Sequence, residues 1–194
     1  TNSVAYALGK YGTQVPDKKA LRVFIGPPLQ ESFERFYGFS KEECLKAIDY
    51  YHEYFSEKGL YENEVYLGVP DLLASLKQAG KQLIVATSKP EEFSIQILKH
   101  FGLYDYFDFV AGATMDRKRS KKSDVIQYAL EQNGITDLAH TIMIGDREHD
   151  VLGAQAQKFD SIGVLYGFGS REELEEAGAT YIAQEVGEIA AFIG

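Results

Sequence analysis

The sequence contains little cysteine, no tryptophan and no long apolar run, and these shortages exclude whole classes of protein. Cys44 is the only cysteine, so an internal disulfide framework is excluded and the thiol is best interpreted as a small buried apolar group. Every apolar run is shorter than the roughly 18 residues that a membrane-spanning helix needs. The first residues show no signal-peptide pattern. We therefore expect a cytoplasmic protein with no membrane partner.

Positive charge is also in short supply. The chain has 20 lysine and arginine residues against 29 aspartate and glutamate residues, which gives a net charge of −9. A nucleic-acid-binding surface draws most of its affinity from basic side chains, so we expect no nucleic-acid partner. Hydrophobic residues make up 45% of the 194 residues, enough for a full core and a modest additional domain.

The first third of the chain is rich in aromatic residues and has helical rather than strand periodicity. The stretch "SVAYALGKYG" places apolar residues on one helical stripe and then reaches a glycine stop. Ser40 and Glu43 have the spacing of a capping box before another apolar series. We predict a small all-helical region over residues 1–66.

The remaining residues, 67–194, alternate short apolar runs with helical patterns. Continuous apolar strands that alternate with helices are typical of a parallel sheet with helices on both of its faces. The fold class predicted for this region is therefore α/β, with a Rossmann-like parallel sheet. The predicted strands are "KQLIVATS", "FDFVAGA", "TIMIGD", "SIGVLYG" and "TYIA".

Polar residues follow three of these strands, at the edge of the sheet where parallel α/β folds bind ligands. Thr87 and Ser88 end the first strand, a basic run with Lys121 and Lys122 follows the second, and Asp146 ends the third. Hydroxyl and ammonium groups bind phosphate, and a carboxylate is the hard oxygen ligand that Mg²⁺ prefers. This pattern indicates a phosphate bound beside Mg²⁺.

The stretches "VATSKP", "KKSDVI" and "MIGDREHD" resemble, in order, three motifs of the haloacid dehalogenase-like (HAD) hydrolases. Together with the helical first third, they resemble the phosphoglycolate phosphatase-like branch, which has a helical C1-type cap. The resemblance implies that Thr87 is catalytic, that Thr87 and Ser88 bind the phosphoryl oxygens, and that Asp146 is a Mg²⁺ ligand. Lys122, with Lys121 as the alternative, corresponds to the catalytic, phosphate-binding lysine.

By the same resemblance, Asp150 supports this cluster or holds the lysine, as a further catalytic residue. Gly26 and Pro27, in the turn "IGPPLQESF", correspond to cap residues that contact the substrate. The implied activity is Mg²⁺-dependent hydrolysis of a small phosphorylated metabolite, phosphoglycolate or a nucleoside monophosphate, through an aspartyl-phosphate. The sequence carries no signal for an oligomeric state.

The Asp-x-Asp motif that supplies the nucleophile in HAD hydrolases has no counterpart at the end of a predicted strand. The nearest candidates, Asp105 and Asp108, precede a strand. We expect the motif on a central strand encoded upstream of Thr1. Two alternatives stay open: a non-catalytic HAD-fold binding protein that lacks the nucleophile, and a phosphomutase on the same scaffold.

Simpler interpretations exist for several of these residues. Thr87 and Ser88 would serve only to cap the next helix, and Asp150 would be the N-cap of its own helix. His149 is interpreted as an exposed loop histidine. The run "RKRSKK", residues 117–122, is interpreted as a mainly solvated loop from which one lysine reaches the site.

Overall fold

A computed structural model describes residues 1–116 and 118–193. They form two compact units that divide after Glu64, close to the boundary predicted after residue 66. The first unit is helical and includes turns of 3₁₀ helix. Its α-helices are α1 (Asn2–Gly9), α2 (Leu29–Tyr37) and α3 (Lys41–Glu57).

Helix α3 begins with the predicted capping box. The Ser40 hydroxyl accepts a hydrogen bond from the Glu43 backbone N–H at 3.3 Å, and the Glu43 carboxylate accepts one from the Ser40 N–H at 2.8 Å. These bonds satisfy two N–H groups that a helix start would otherwise expose. Cys44 is fully buried in the core of this unit, as predicted for a small apolar group. The core consists of Val4, Ala7, Leu8, Leu21, Phe24, Phe33, Cys44, Ala47 and Ile48.

The second unit alternates helices and strands as the sequence predicted, which confirms the α/β class. The order along the chain is α4 (Val69–Gln78), β1 (Ile84–Pro90), α5 (Glu91–His100), β2 (Phe109–Ala113), α6 (Lys122–Gln132), β3 (Ile142–Gly145), α7 (Glu148–Ala156), β4 (Asp160–Val164), α8 (Arg171–Glu176), β5 (Tyr181–Ala183) and α9 (Ile189–Ile193).

Every strand pairing is parallel, but the described strands form two sheets rather than the single sheet that the sequence predicted. Strand β1 pairs with β2, and β4 lies between β3 and β5. No ladder joins β1 to β3 among the described residues. Both strands are half-buried along their whole length, whereas β2 and β4 are mostly buried. The number of described partners does not explain this difference, because β2 pairs only with β1 among the described strands and is still mostly buried.

Helices bring the two sheets together at one edge. Helices α5 and α6 pack against β1 and β2, and α7 packs against β3, β4 and α6. Helix α6 follows β2 and α7 follows β3, so their contact brings the residues that follow these two strands near each other. Within residues 1–116 and 118–193, no helix is long and apolar enough to span a bilayer.

Candidate phosphate and metal site

Lys122 connects the two sheets. Its Nζ lies 2.8 Å from Asp150 Oδ1 and donates a second hydrogen bond, of 2.9 Å, to the Ala86 carbonyl in β1. The Lys122 and Asp150 side chains are 14% and 9% exposed. An ammonium has three donors, so one remains for a phosphate oxygen beside these two bonds. Lys121 is exposed and is the N-cap of α6, which favours Lys122 as the phosphate-binding lysine.

Thr87 directly follows the carbonyl that Lys122 contacts. Its Oγ1 accepts a 3.2 Å hydrogen bond from the Lys89 N–H, a local turn contact that leaves the hydroxyl proton as a donor. The N-cap of α5 is Pro90, so the interpretation of Thr87 and Ser88 as caps of this helix is wrong. The strand conformation continues through Pro90, and the helix begins at Glu91, after both Thr87 and Ser88.

Asp146 is held by the loop that follows β4. Its Oδ2 accepts a 2.8 Å hydrogen bond from the Phe168 N–H, and its carbonyl accepts one of 2.9 Å from the Gly169 N–H. A Cβ atom at Gly167 would lie 2.2 Å from Asp146 Cβ, and one at Gly169 would lie 2.1 Å from the Asp146 carbonyl oxygen. Glycine is therefore needed at both positions for the loop to approach the aspartate.

Asp150 lies in the first turn of α7, where its carboxylate accepts hydrogen bonds from two donors. Besides the Lys122 contact, Asp150 Oδ2 accepts a 3.2 Å hydrogen bond from the Arg147 N–H. The helix begins at Glu148 with Arg147 as its N-cap. The interpretation of Asp150 as the N-cap is therefore wrong, because its side chain reaches back to the N-cap residue from inside the helix.

Asp146 has the donor chemistry that Mg²⁺ prefers. Asp146 supplies a hard carboxylate oxygen at the end of β3, and the Gly167–Gly169 approach leaves it in a fixed orientation. No group of three or more His, Cys, Asp or Glu side chains is arranged to hold a metal among the described residues. Mg²⁺ is commonly bound by one or two carboxylates, with waters and substrate phosphate as its other ligands. The single carboxylate fits that mode.

Glu173, in α8, contributes to the site although the sequence analysis did not select it. Its Oε1 accepts hydrogen bonds from Arg147 Nε at 2.7 Å and from the Glu148 N–H at 2.9 Å. Burial alone would raise the pKa of Glu173, but the bonds from Arg147 and Glu148 leave it lowered. Its only sequence signal was the spacing from Ser170, which is typical of a helix start: Ser170 Oγ accepts the Glu173 N–H at 3.1 Å.

One other expectation about a polar residue needs correction. The His149 ring nitrogen Nε2 is buried and has no hydrogen-bond partner within residues 1–116 and 118–193, so His149 is not an exposed loop histidine. Arg119, from the basic run, is folded against the protein: its Nε donates to the Gly112 carbonyl at 2.8 Å, and its guanidinium lies 3.5 Å from the centroid of the Tyr128 ring. Arg117, in the same run, lies outside the described residues.

Gly26 and Pro27 lie in the first unit, in the turn between a 3₁₀ helix that ends at Phe24 and helix α2. Gly26 has a φ of +109°, a backbone conformation that glycine adopts readily and other residues avoid. The turn therefore depends on this glycine. Substrate binding by Gly26 and Pro27 stays a prediction.

The position of Lys89 at the tip of β1 gives a pH-dependent prediction. Burial lowers the pKa of Lys89 from 10.5 to about 8. Between pH 8 and pH 10.5, Lys89 is therefore protonated in the unfolded chain but mostly neutral in the folded protein. The free-energy cost that this adds to folding reaches its full value below pH 8. Lys89→Met should raise the free energy of unfolding by up to about 3 kcal/mol at pH 7.5, and this advantage should disappear as the pH rises through 10.5.

Urea denaturation of both proteins at several pH values between 7.5 and 10.5 would measure this effect. The difference between the two proteins is the relevant quantity, because the other lysines and tyrosines titrate equally in both. Parallel stability profiles across this range would contradict the assignment.

Comparison with known proteins identifies the family. The model of haloacid dehalogenase-like hydrolases matches residues 1–164. A 5'-nucleotidase from Pseudomonas aeruginosa is 41% identical over 186 residues, which cover 96% of this chain and 84% of that protein. The tyrosine-protein kinase PtkA of Mycobacterium tuberculosis is 36% identical over 93% of this chain, which spans only 61% of the kinase.

Solved structures agree with this assignment. A predicted phosphatase from Clostridium acetobutylicum has 52% sequence identity and a TM-score of 0.94, and the match covers 99% of this chain and 88% of that one. The family model, the sequence relatives and the fold thus extend over most of the chain. The chain belongs to the haloacid dehalogenase-like hydrolase family.

Proposed function

We propose that the protein is a Mg²⁺-dependent phosphatase that hydrolyses a small phosphomonoester, with 5'-nucleotides as the first substrates to test. The observation that carries the proposal is the pair of contacts made by Lys122, to Asp150 and to the Ala86 carbonyl. These contacts support a role in which the Lys122 ammonium group is held near the hydroxyl of Thr87. The 5'-nucleotidase relative, 41% identical to this chain, favours nucleotides over phosphoglycolate.

In the proposed reaction, Thr87, Ser88 and Lys122 donate hydrogen bonds to the phosphoryl oxygens, where negative charge develops in the transition state. Asp150 orients Lys122 by accepting a hydrogen bond from its Nζ at 2.8 Å. Mg²⁺ held by Asp146 would reduce the repulsion between an anionic nucleophile and an anionic ester. Gly26 and Pro27 are proposed to contact the leaving group.

The nucleophile is proposed to be an aspartate on a further strand that lies between β1 and β3. Such a strand would pair in parallel with both, and its carboxyl end would lie between Thr87 and Asp146. Its aspartate would bond to phosphorus as the ester oxygen leaves, and water would then hydrolyse the aspartyl-phosphate. Among the described residues, β1 and β3 each pair with one strand only, so one edge of each can accept this strand.

Asp105 and Asp108 are poor candidates for that role. Both lie before the amino end of β2, which begins at Phe109, whereas the site is at the carboxyl ends of the strands. Asp108 is already engaged: its carboxylate accepts hydrogen bonds from Lys77 Nζ at 2.7 Å and from the Leu83 N–H at 2.8 Å. It therefore ties α4 to the start of β1.

The test is a release assay for inorganic phosphate, performed with the whole gene product over nucleoside monophosphates, phosphoglycolate and sugar phosphates. We expect turnover that requires Mg²⁺ and is removed by a chelator. Binding of the phosphate esters without turnover would favour the non-catalytic binding protein. Transfer of the phosphoryl group within a sugar phosphate would favour the phosphomutase, and transfer to tyrosine would favour the kinase activity for which the mycobacterial relative is named.

A further inference from the structure

The loop between β4 and α8 and the first turn of α8, residues 167–173, form a frame around the residues that follow β3. On one side of this frame, the Phe168 and Gly169 N–H groups donate to the side chain and the carbonyl of Asp146. On the other side, Glu173 accepts from Arg147 Nε and the Glu148 N–H. Asp146 and the two residues that follow it are therefore attached to the same short segment.

The Glu173 contacts are strong enough to orient this loop. The Arg147 and Glu173 side chains are 17% and 24% exposed, and their 2.7 Å contact is a charge-assisted hydrogen bond. Such bonds are roughly twice as strong as those between neutral groups. The same carboxylate oxygen also accepts the Glu148 N–H, which fixes the peptide at the start of α7. The turn from Asp146 into α7 is thereby fixed at two points.

The glycine residues of the frame make the alignment sensitive to small shifts. Gly167 and Gly169 approach Asp146 so closely that a Cβ atom at either position would overlap it. A change in the position of α8 would therefore move the donors at Phe168 and Gly169 together with Glu173. Such a change would alter the orientation of the Asp146 carboxylate.

We infer that Glu173 is a positioning residue for Asp146, and that its contacts with Arg147 and Glu148 set the affinity of the site for a divalent cation. Groups that orient a metal ligand without contacting the metal typically change metal affinity about 10–100-fold when they are mutated. The inference rests on the proposed function only for its effect on turnover. The cation-binding measurement is independent of the substrate.

The experiment compares Glu173→Gln and Glu173→Ala with the wild-type whole protein. The control, Glu175→Gln, lies on the same helix, where Glu175 forms an exposed ion pair with Arg171. Mn²⁺ serves as the probe, and its binding is measured by electron paramagnetic resonance. We expect the Kd for Mn²⁺ to rise about tenfold in Glu173→Gln and more in Glu173→Ala, because glutamine keeps an acceptor but loses the charge. Glu175→Gln should match the wild type.

The readouts separate positioning from a purely structural role. If Glu173 positions Asp146, saturating Mg²⁺ should restore much of kcat in Glu173→Gln, and the concentration for half-maximal activation should rise with the Mn²⁺ Kd. An unchanged Mn²⁺ Kd in folded Glu173→Gln would overturn the inference, as would absence of Mn²⁺ binding by the wild type. If the wild type binds Mn²⁺ but hydrolyses no ester, the proposed function fails while the Mn²⁺ comparison still decides the role of Glu173.

Discussion

Asp146→Asn is expected to lower kcat/KM by at least about a thousandfold while the fold is retained. Asparagine has the shape of aspartate, and its carbonyl oxygen can still accept the Phe168 N–H that Asp146 Oδ2 accepts at 2.8 Å. The substitution therefore removes negative charge without removing that loop contact. Loss of a charged group that acts on the transition state typically costs several kcal/mol. The expected decrease is correspondingly large.

The measurement is initial-rate kinetics with the best substrate from the phosphate-ester panel, over a range of Mg²⁺ concentrations. Asp105→Asn is the matched control, since Asp105 is exposed and lies before the amino end of β2. It should retain wild-type rates. Circular dichroism should show the same thermal transition for Asp146→Asn as for the wild type, within a few degrees. Near-normal turnover by Asp146→Asn would remove this residue from the mechanism, whatever the control shows.

The sequence was informative for polar residues that lie near a strand end or at a helix start. The sequence indicates Thr87, Lys122 and Asp146 because each lies at the end of an apolar run or at the start of a helical pattern. In parallel α/β folds such positions collect at one edge. The structure links Lys122 to Asp150 and to the carbonyl of Ala86, the residue before Thr87. Their order in the family motifs gave the same selection before any contact was known.

Contacts between distant elements had no such local signal. Glu173 contacts Arg147 only because α8 packs near the end of β3. The periodicity of a helix predicts which of its faces is buried, but it does not predict which element packs against that face. The Ala86 carbonyl that receives Lys122 is a backbone group, so its role is independent of side-chain identity. The burial that lowers the pKa of Lys89 depends on elements that pack over the end of β1. These features require the assembled fold.

The arrangement of the strands shows a different limit. Five apolar runs predicted five parallel strands, and the structure has all five. The length and composition of the apolar runs do not determine which strands are neighbours in a sheet. Apolar strands such as β1 and β3 would be expected to be fully buried in a continuous parallel sheet, yet both are half-buried. The further strand that we propose between β1 and β3 would pair with both.

The Lys122–Asp150 pair is expected to show strong energetic coupling. Breaking a buried ion pair by removing one partner leaves an uncompensated charge and typically costs about 3–5 kcal/mol. With side chains only 14% and 9% exposed, Lys122→Met and Asp150→Asn should each destabilise the protein by an amount in this range. The double variant should lose less than the sum, with a coupling energy of about 2–3 kcal/mol.

Activity should show the same coupling. Lys122→Met removes a donor to the transferred phosphoryl group, whereas Asp150→Asn acts by releasing Lys122 from its 2.8 Å contact. Because the two residues act as one unit, the double variant should be about as slow as Lys122→Met alone. Urea denaturation and initial rates for the four proteins of the cycle would measure both effects.

The exposed Arg171–Glu175 pair provides the internal control. Its side chains are 45% and 54% exposed, so the same double-mutant cycle should give a coupling energy of no more than about 0.5 kcal/mol and no change in rate. A coupling energy as small as this between Lys122 and Asp150 would mean that the carboxylate does not hold the lysine in solution. The site would then lack its link between β1 and α7, and the phosphate-binding role of Lys122 would have to be abandoned.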